Sequence, residues 1–338
     1  IPDKLSSDIQ NLNLSFNPLY EIVPNAFDNV GLVNLKKLFL INCRIESINK
    51  DGFKNLKIMI EIDISKNSIS SLHRDTFSSN ERVRVINLND NRLEELENGL
   101  FENLQFLQNI YLSNNRIFKI GTETFVNLPV LKKLTLNSNN LTFIRLEALS
   151  KLTNLSSLEL QNNFWMCDCH LQSFHNWVIK HNLYTHPTTC SEPTRLHNRN
   201  WNELESTEFA CKPTIIEPMQ DKAIQASNEN ITLSCKATGN PKPDVSWAQN
   251  TVILDGISRR HGENRHVIRR NDLGLTVWVN LTIFNVKYHD RGDYRCDAKN
   301  PGGSESRTIS LTVSRSTGIN GSDVVTNESL LLIVGLSV

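Results

Sequence analysis

The sequence lacks any excess of charge of one sign. Lys and Arg together number 36, and Asp and Glu together also number 36, so the formal net charge at pH 7 is zero. A basic surface is the usual electrostatic footprint of a protein that binds nucleic acid. The composition therefore argues against nucleic acid as the main partner.

The sequence also lacks the local motifs that accompany catalysis. We find no nucleophile elbow, no phosphate-binding loop and no credible set of metal ligands in the 338 residues. We therefore predict a protein that is not an enzyme, with no catalytic residue, no cofactor and no metal site.

A leucine-rich repeat pattern fills residues 1–163. The fifth repeat reads Leu107, Ile110, Leu112, Asn115 and Ile117, which matches the frame L-x-x-L-x-L-x-x-N/C-x-L. The N/C positions, here called the ladder positions, are 24 residues apart except for a first interval of 26, and they are Asn17, Cys43, Asn67, Asn91, Asn115, Asn139 and Asn163. We predict a curved solenoid with a parallel β-sheet on its inner face and an irregular convex side. Ten residues after each of five ladder positions comes a phenylalanine of the predicted convex stack: Phe27, Phe53, Phe77, Phe101 and Phe125.

The inner face of the solenoid is the predicted binding surface. Residues two, four and six before each ladder position point outward there, and most are small or polar. Large apolar side chains at such positions resemble the anchors of protein interfaces, although scattered exposed apolar residues are also common on ordinary surfaces. We favour binding, and the candidate partner-binding residues are Phe39, Ile41, Asp63, Val85, Tyr111, Lys133 and Glu159.

Cysteines and glycosylation sequons indicate the secretory pathway. Six of the seven cysteines fall into two frameworks, and Cys43 stands at a ladder position, where we predict a buried free thiol. Paired cysteines and sequons are typical of extracellular proteins. The seven N-x-S/T sequons begin at Asn13, Asn140, Asn154, Asn230, Asn280, Asn320 and Asn327.

Residues 164–213 are predicted to close the repeat array. Four cysteines allow three pairings, and a zinc site made by Cys167, Cys169, His170 and His175 is the weaker alternative. The run from Phe164 to His170 resembles the C-terminal flanking domain of extracellular leucine-rich repeats. That resemblance implies the disulfides Cys167–Cys190 and Cys169–Cys211. A short helix over the last repeat is predicted from the helical spacing of Leu171, Phe174, Trp177, Val178 and Ile179.

Residues 214–314 carry the signature of an immunoglobulin domain. Cys235 and Cys296 are 61 residues apart, Trp247 lies 12 after the first, and Tyr294 lies two before the second. These are the inter-sheet disulfide, the tryptophan packed on it and the tyrosine corner of the all-β sandwich. The stretch 239–247 resembles the intermediate set (I-set) found in adhesion proteins and receptors. Alternation in residues 276–283 predicts a strand with four inward side chains: Val277, Val279, Leu281 and Ile283.

A cluster of arginines lies within this second module. Arginine clusters can bind sulfated glycans such as heparan sulfate. The alternative, which we favour, is a charged strand edge that prevents pairing with other chains. Glu263 is the one acidic residue in this stretch of the sequence. The arginines are Arg259, Arg260, Arg265, Arg269 and Arg270.

The composition near the two ends of the sequence predicts a membrane attachment at one end and a cap at the other. Residues 315–329 are polar and predict a glycosylated stalk. Residues 330–338 are apolar, and because a spanning helix needs about 20 residues we expect a membrane helix that continues past Val338, with a lipid-anchor signal as the alternative. At the other end, Ile9, Leu12 and Leu14 would face an open edge, so we expect a cysteine-rich cap upstream of Ile1.

The order of these modules resembles the Kekkon family of insect single-pass transmembrane proteins. Three details support the resemblance: the first interval of 26 residues, the stretch from Leu40 to Ile45 around Cys43, and Glu208-Phe209-Ala210-Cys211-Lys212-Pro213 after Trp201. The resemblance implies a plasma-membrane regulator of cell signalling. Members are associated with restraint of epidermal growth factor receptor signalling, with bone morphogenetic protein pathways and with neuronal or synaptic growth.

The sequence therefore predicts a non-enzymatic cell-surface receptor or receptor modulator. Its expected partner is an extracellular protein: a growth-factor receptor ectodomain, a secreted ligand or an adhesion partner. One alternative is a cell-adhesion or extracellular-matrix protein. Another is the ectodomain of a larger protein with a catalytic domain beyond residue 338, as in neurotrophin receptors, which carry kinase domains, or peroxidasins, which carry haem peroxidase domains.

Overall fold

Seven short parallel strands form one continuous sheet on the inner face of the repeats. The computed structural model describes residues 1–2, 5–226, 229–260 and 263–313. The sheet runs in chain order from β1 to β7, with equivalent residues of successive repeats paired. The strands are β1 Asn11–Asn13, β2 Lys37–Phe39, β3 Glu61–Asp63, β4 Val85–Asn87, β5 Asn109–Tyr111, β6 Lys133–Thr135 and β7 Ser157–Glu159.

The ladder residues hold successive repeats together through buried hydrogen bonds. The side-chain amide of Asn115 donates to Leu88 O at 3.0 Å and to Leu112 O at 3.1 Å, and its Oδ1 accepts from the backbone N–H of Leu93 at 3.0 Å. Cys43 is buried with a free thiol, as predicted. Its Sγ–H replaces one amide donor, because it donates to Leu14 O at 3.2 Å.

The five predicted phenylalanines stack along the convex side. All are buried, and the ring centroids of successive pairs lie 6.1, 6.1, 5.8 and 5.5 Å apart. Short parallel pairs of two-residue strands join Glu21–Ile22 to Ser47–Ile48, Glu95–Leu96 to Lys119–Ile120, and Phe101–Glu102 to Phe125–Val126. Short 3-10 turns lie at Asp28–Val30 and Leu146–Ala148. The repeats therefore form a continuous apolar core rather than separate units.

The predicted helix follows the repeats as α1, Gln172–Lys180. Leu171, Phe174 and Val178 are buried in the core that the helix shares with the repeats. Ile179 was expected on the same face, and this was wrong, because it lies one residue past Val178 and is exposed. The chain then forms 3-10 turns at Thr194–Leu196, Trp201–Glu203 and Ser206–Glu208.

The second module is a sandwich of two five-stranded sheets. The strands are β8 Thr214–Glu217, β9 Lys222–Ala226, β10 Ile231–Thr238, β11 Asp244–Gln249, β12 Val252–Leu254, β13 Ile257–Arg260, β14 Glu263–Leu273, β15 Thr276–Ile283, β16 Gly292–Asn300 and β17 Gly303–Val313. One sheet has the order β8-β10-β15-β14-β13, and the other has the order β9-β17-β16-β11-β12. A 3-10 turn, Tyr288–Asp290, precedes β16.

The immunoglobulin signature residues occupy the core of this sandwich. Trp247 is fully buried, pairs in register with Cys296 and donates its indole N–H to Val279 O at 2.9 Å. The hydroxyl of Tyr294 donates to Asp290 O at 2.8 Å, which forms the expected tyrosine corner. The inward alternation predicted for β15 is confirmed, since Val277, Val279, Leu281 and Ile283 are all buried.

The end of the cap is bonded to the immunoglobulin sandwich at Cys211. The backbone N–H of Cys211 donates to Asn240 O at 2.8 Å, and the Asn300 side-chain amide donates to Cys211 O at 2.9 Å and to Pro241 O at 2.8 Å. Because Cys211 is also in a disulfide with Cys169, the last bond of the cap and the first contacts of the sandwich share one residue.

The proposed stalk and membrane segment, 315–338, lie outside the described residues. Within the residues that the structure describes, no helix has the length and apolar character needed to cross a membrane.

Candidate protein-binding surface

The outward side chains of the inner sheet form three parallel rows. The first row holds the first residue of each strand: Asn11, Lys37, Glu61, Val85, Asn109, Lys133 and Ser157. The second row holds the third residue of each strand: Asn13, Phe39, Asp63, Asn87, Tyr111, Thr135 and Glu159. The third row lies two residues farther along the chain: Ser15, Ile41, Ser65, Asn89, Ser113, Asn137 and Gln161. All seven candidate partner-binding residues lie in these rows, on one surface.

The apolar candidates are only partly exposed. Phe39, Ile41, Val85 and Tyr111 are half-buried, whereas the sequence reasoning treated them as exposed. Neighbouring strands are about 4.8 Å apart, so each side chain is partly covered by those on either side. Phe39 and Tyr111 lie three strands apart, which separates their backbones by about 14 Å. The surface is therefore a broad face with two aromatic side chains, rather than one pocket.

Charged side chains on this face pair with one another. Lys37 Nζ lies 2.8 Å from Glu61 Oε2, and Lys133 Nζ lies 2.7 Å from Glu159 Oε1. The hydrogen bond with Glu159 raises the pKa of Lys133. The same ammonium group lies 5.8 Å from the centroid of the Tyr111 ring, within the range of a cation–π contact. Tyr111, Lys133 and Glu159 thus form a connected group across three strands.

Asp63 has a different kind of partner. Its Oδ2 accepts a hydrogen bond from the side-chain amide of Asn87 at 2.8 Å, and its Oδ1 accepts one from the backbone N–H of Ser65 at 3.0 Å. The carboxylate is therefore held in place on the face, and the bonds to Ser65 and Asn87 occupy one lone pair of each oxygen.

Some positions predicted to point outward are buried instead. Thr135 has an exposed fraction of 3%, and its Oγ1 accepts from Ser113 Oγ at 2.8 Å and from the backbone N–H of Leu112 at 3.2 Å. Ser113 also lies 2.6 Å from Asn137 Oδ1. Thr135 and Ser113 are buried and bond across strands, so they leave less polar surface than the spacing predicts.

A groove beside the inner sheet was missed by the sequence reasoning. It encloses about 390 Å³, and four successive repeats contribute to it. Ile58, Ile60 and the exposed ring of Phe106 supply apolar surface, and the cations Lys36, Arg82 and Arg84 complete the lining. The signal was a set of basic and apolar residues one and three positions before successive strands, and it becomes visible only when the repeats are aligned.

The arginines of the cluster whose side chains the structure describes have different surroundings. Arg265 is largely buried and donates to Phe284 O at 2.8 Å and to the carboxylate of Asp290. Arg270 lies 3.0 Å from both Asp244 Oδ1 and Asp272 Oδ1. The Arg265 guanidinium thus bridges the loop that carries the tyrosine corner, and a glycan-binding role for Arg265 stays a prediction.

Arg269 is exposed on β14. The backbone of Arg259 and Arg260 belongs to β13, and their side chains lie outside the described residues, as does the side chain of Glu263. A glycan-binding role for Arg269 with Arg259 and Arg260 stays a prediction.

The cysteines of the cap and sandwich are joined in three disulfides. These are Cys167–Cys190, Cys169–Cys211 and Cys235–Cys296. Cys169, His170 and Cys211 lie close together, with His170 Nδ1 at 3.7 Å from Cys211 Sγ. The disulfides use the thiolates that the alternative zinc site would need. His175 of that set is buried against Trp201, with Nε2 at 3.0 Å from the Trp201 carbonyl.

The described sequons lie at different places in the fold. Asn13 begins the second row of the inner face, so a glycan there would cover the N-terminal end of the binding surface. Asn140, Asn154 and Asn230 are exposed, and Asn280 is half-buried on β15. Asn320 and Asn327 lie outside the described residues.

Family models match both modules of the chain. The immunoglobulin I-set domain matches residues 213–313. Leucine-rich repeat models match residues 8–30, 33–93, 59–117 and 105–163.

Several curated proteins resemble the chain over about half its length. The human leucine-rich repeat, immunoglobulin-like domain and transmembrane domain-containing protein 3 is 30% identical over 162 residues, which cover 46% of this chain and 22% of that protein. A human protein named probable oxidoreductase PXDNL is 29% identical over 181 residues, which cover 52% of this chain and 11% of that protein. The chain thus spans less than a quarter of the length of these relatives.

Solved structures also contain similar chains. In the crystal structure of a TLR13–ssRNA13 complex, a chain that is 28% identical aligns with 47% of this chain and 22% of its own length, with a TM-score of 0.45.

Together with the matches to both family models, the curated relatives show that proteins joining leucine-rich repeats to an immunoglobulin-like domain are homologues of this chain.

Proposed function

We propose that this chain is the extracellular binding region of a non-enzymatic cell-surface receptor or receptor modulator. The observation that supports this most directly is the seven-stranded inner sheet, which carries all seven candidate residues on one face. The three disulfides fit an extracellular environment. Attachment to the plasma membrane is supported by the transmembrane domain in the name of the human relative.

The inner face would bind a protein without large rearrangement. Its side chains are fixed by strand backbones and by bonds to neighbouring repeats, so little conformational entropy is lost on association. Phe39 and Tyr111 would supply apolar contacts, and the paired charges around Lys133 and Lys37 would set orientation more than affinity. The groove with Lys36, Arg82 and Arg84 would favour an acidic segment of the partner at the edge of this face.

The resemblance to the Kekkon family supports a narrower proposal. The partner would be a growth-factor receptor ectodomain or a secreted growth factor, with a role in growth-factor, neuronal or synaptic signalling. The immunoglobulin domain would serve as a second contact or as a spacer to the membrane.

The proposal is tested by measuring binding of the secreted protein to a panel of receptor ectodomains, growth factors and matrix glycans. Saturable binding to one receptor ectodomain or growth factor is the expected result. Binding confined to the chain itself or to matrix glycans would contradict the receptor proposal and support the adhesion alternative.

A larger protein with a catalytic domain elsewhere is the second candidate. It is favoured by the similarity to the probable oxidoreductase, which extends over 52% of this chain. The full-length transcript decides between the two. A kinase or peroxidase sequence in the same reading frame would replace the non-enzymatic proposal, whereas a membrane helix with a non-catalytic tail would support it.

A further inference from the structure

Three exposed phenylalanines lie on a flank of the solenoid that is separate from the inner sheet. Their exposed fractions are 46% for Phe118, 45% for Phe143 and 60% for Phe164. They follow the ladder positions by three, four and one residues, whereas the three rows of the inner face precede those positions. We call this set the phenylalanine flank. Exposed apolar clusters of this kind usually have an occupant.

A cavity of about 530 Å³ lies within this flank. Its lining includes Phe118, Phe143, Asn140, Thr142 and Arg145. Pockets of roughly 300–1,000 Å³ accommodate small organic ligands. The cavity therefore has room for a monosaccharide between the two rings.

Phe164 completes the surroundings of Asn140. It holds the equivalent position in the next repeat, and its backbone N–H donates to Leu141 O at 2.9 Å. Asn140 itself is tied to the previous repeat, since its backbone N–H donates to Ile117 O at 2.9 Å. Asn140 therefore shares the cavity lining with Phe118 and Phe143, and its backbone lies in the repeat between those of Phe118 and Phe164.

Asn140, Leu141 and Thr142 form an N-x-T sequon inside this aromatic setting. Both Asn140 and Thr142 are exposed. Asn154 is a useful contrast, because it is also exposed but precedes β7, and its side-chain amide donates to Pro129 O at 2.5 Å. The sequon is a sequence feature and the cavity is a structural one, and both include Asn140 and Thr142.

We propose that an N-linked glycan on Asn140 is seated on the phenylalanine flank, with its first N-acetylglucosamine in the cavity. A pyranose ring has a polar rim and an apolar face of C–H groups. The face would pack on the rings of Phe118 and Phe143, and the rim would remain in water or meet Arg145. The glycan would thereby cover apolar surface that otherwise invites association with other proteins.

The modification is an oligosaccharide transfer from a lipid-linked diphosphate donor. A bond forms between Asn140 Nδ2 and the anomeric carbon of the first sugar. The bond from that carbon to the diphosphate oxygen breaks, and its electron pair leaves with the lipid diphosphate. The amide nitrogen loses one proton, and no oxidant or reductant is needed.

The site is distinct from the binding face, so it can be tested apart from the proposed function. The full protein is expressed in a secretory host that makes high-mannose glycans, and peptide mass spectrometry measures the occupancy of Asn140. Asn140→Gln and Thr142→Ala both remove the sequon, and Asn154→Gln is the matched control. Compared with the wild type, we expect Asn140→Gln and Thr142→Ala to bind more of a hydrophobic fluorescent dye and to have a Tm about 2–4 °C lower. Asn154→Gln should show neither change.

A second experiment distinguishes the effect of the first sugar from the effect of the rest of the glycan. An endoglycosidase that leaves one N-acetylglucosamine on Asn140 is expected to preserve the low dye binding of the wild type. Adding Phe118→Ser and Phe143→Ser to Asn140→Gln is expected to restore low dye binding.

Two results would overturn the proposal. One is an unmodified Asn140 on the secreted protein. The other is equal behaviour of Asn140→Gln and Asn154→Gln in dye binding and Tm. If Asn140 is unmodified and Phe118→Ser weakens binding of a protein partner, the flank is a protein docking site instead.

Discussion

At the residue scale, His175 shows how the cap buries a titratable group. Its ring is stacked on Phe209, with centroids 4.2 Å apart, and its Nε2–H donates to the Trp201 carbonyl at 3.0 Å. Burial lowers the pKa of His175, because the charged imidazolium would lose its hydration. The folded protein therefore holds the neutral form of this ring.

This burial predicts a loss of stability at acidic pH. An unfolded histidine has a pKa of about 6.5, so below that pH the unfolded chain binds a proton that the folded chain does not. The free energy of unfolding should fall by up to about 1.4 kcal/mol per pH unit below pH 6.5 until the lowered pKa is reached. The change in urea midpoint between pH 7.5 and pH 5 measures it.

His175→Gln should reduce that pH dependence, because an amide can still donate to the carbonyl without titrating. His181→Gln is the control, because His181 is exposed directly after the same helix, and it should keep the wild-type slope. Equal slopes for all three proteins would contradict the role of His175.

At the scale of the repeat element, the asparagine ladder is the main polar support. Removing Asn115 would leave the carbonyls of Leu88 and Leu112 and the N–H of Leu93 buried without these bonds. Asn17 is the matched contrast, since it is exposed and donates to Leu14 O and Ser15 O within its own repeat.

We predict that Asn115→Ala lowers the free energy of unfolding by about 3 kcal/mol or more, because each unpaired buried group costs about 1–3 kcal/mol. Asn17→Ala should cost only about 0.5 kcal/mol, as an exposed substitution does. Urea denaturation of the two variants checks this. A similar loss for both would contradict the prediction, because it would show that burial of the ladder asparagine does not determine its contribution to stability.

Elements were predictable where local spacing determines them. The ladder, the phenylalanine stack, α1 and the alternation of β15 each depend on residues a fixed distance apart in the chain. The burial of Thr135 and the groove with Arg82 and Phe106 were not predictable in this way. They depend on which side chains stand beside one another in adjacent repeats, and on their relative lengths.

At the scale of the whole molecule, the connection between cap and sandwich is a close backbone contact. A Cβ atom on Gly302 would lie 2.5 Å from the carbonyl carbon of Cys211, which is too near for any side chain. Asn300 bonds to Cys211 O in the same place. The sequence marked a boundary near Pro213 but gave no sign of this contact, because its residues lie about 90 positions apart.

Gly302→Ala is predicted to force this contact open and to lower the free energy of unfolding by about 1–3 kcal/mol, as overpacking does. The variant should also show a larger maximum dimension in small-angle X-ray scattering. Ser304→Ala, at an exposed site nearby, is the control. An unchanged scattering curve and stability for Gly302→Ala would contradict a fixed connection.

The central claim is that the inner face of the repeats binds a protein partner. The most direct test is the Kd of the partner for the wild type and for the double variant Phe39→Glu with Tyr111→Glu. Tyr20→Glu is the matched control, because Tyr20 is 52% exposed and follows a ladder position instead of lying in the three rows. We predict that the double variant loses more than about tenfold in affinity, as central anchors do, while Tyr20→Glu binds normally and both remain folded. Unchanged affinity in the folded double variant would contradict the claim.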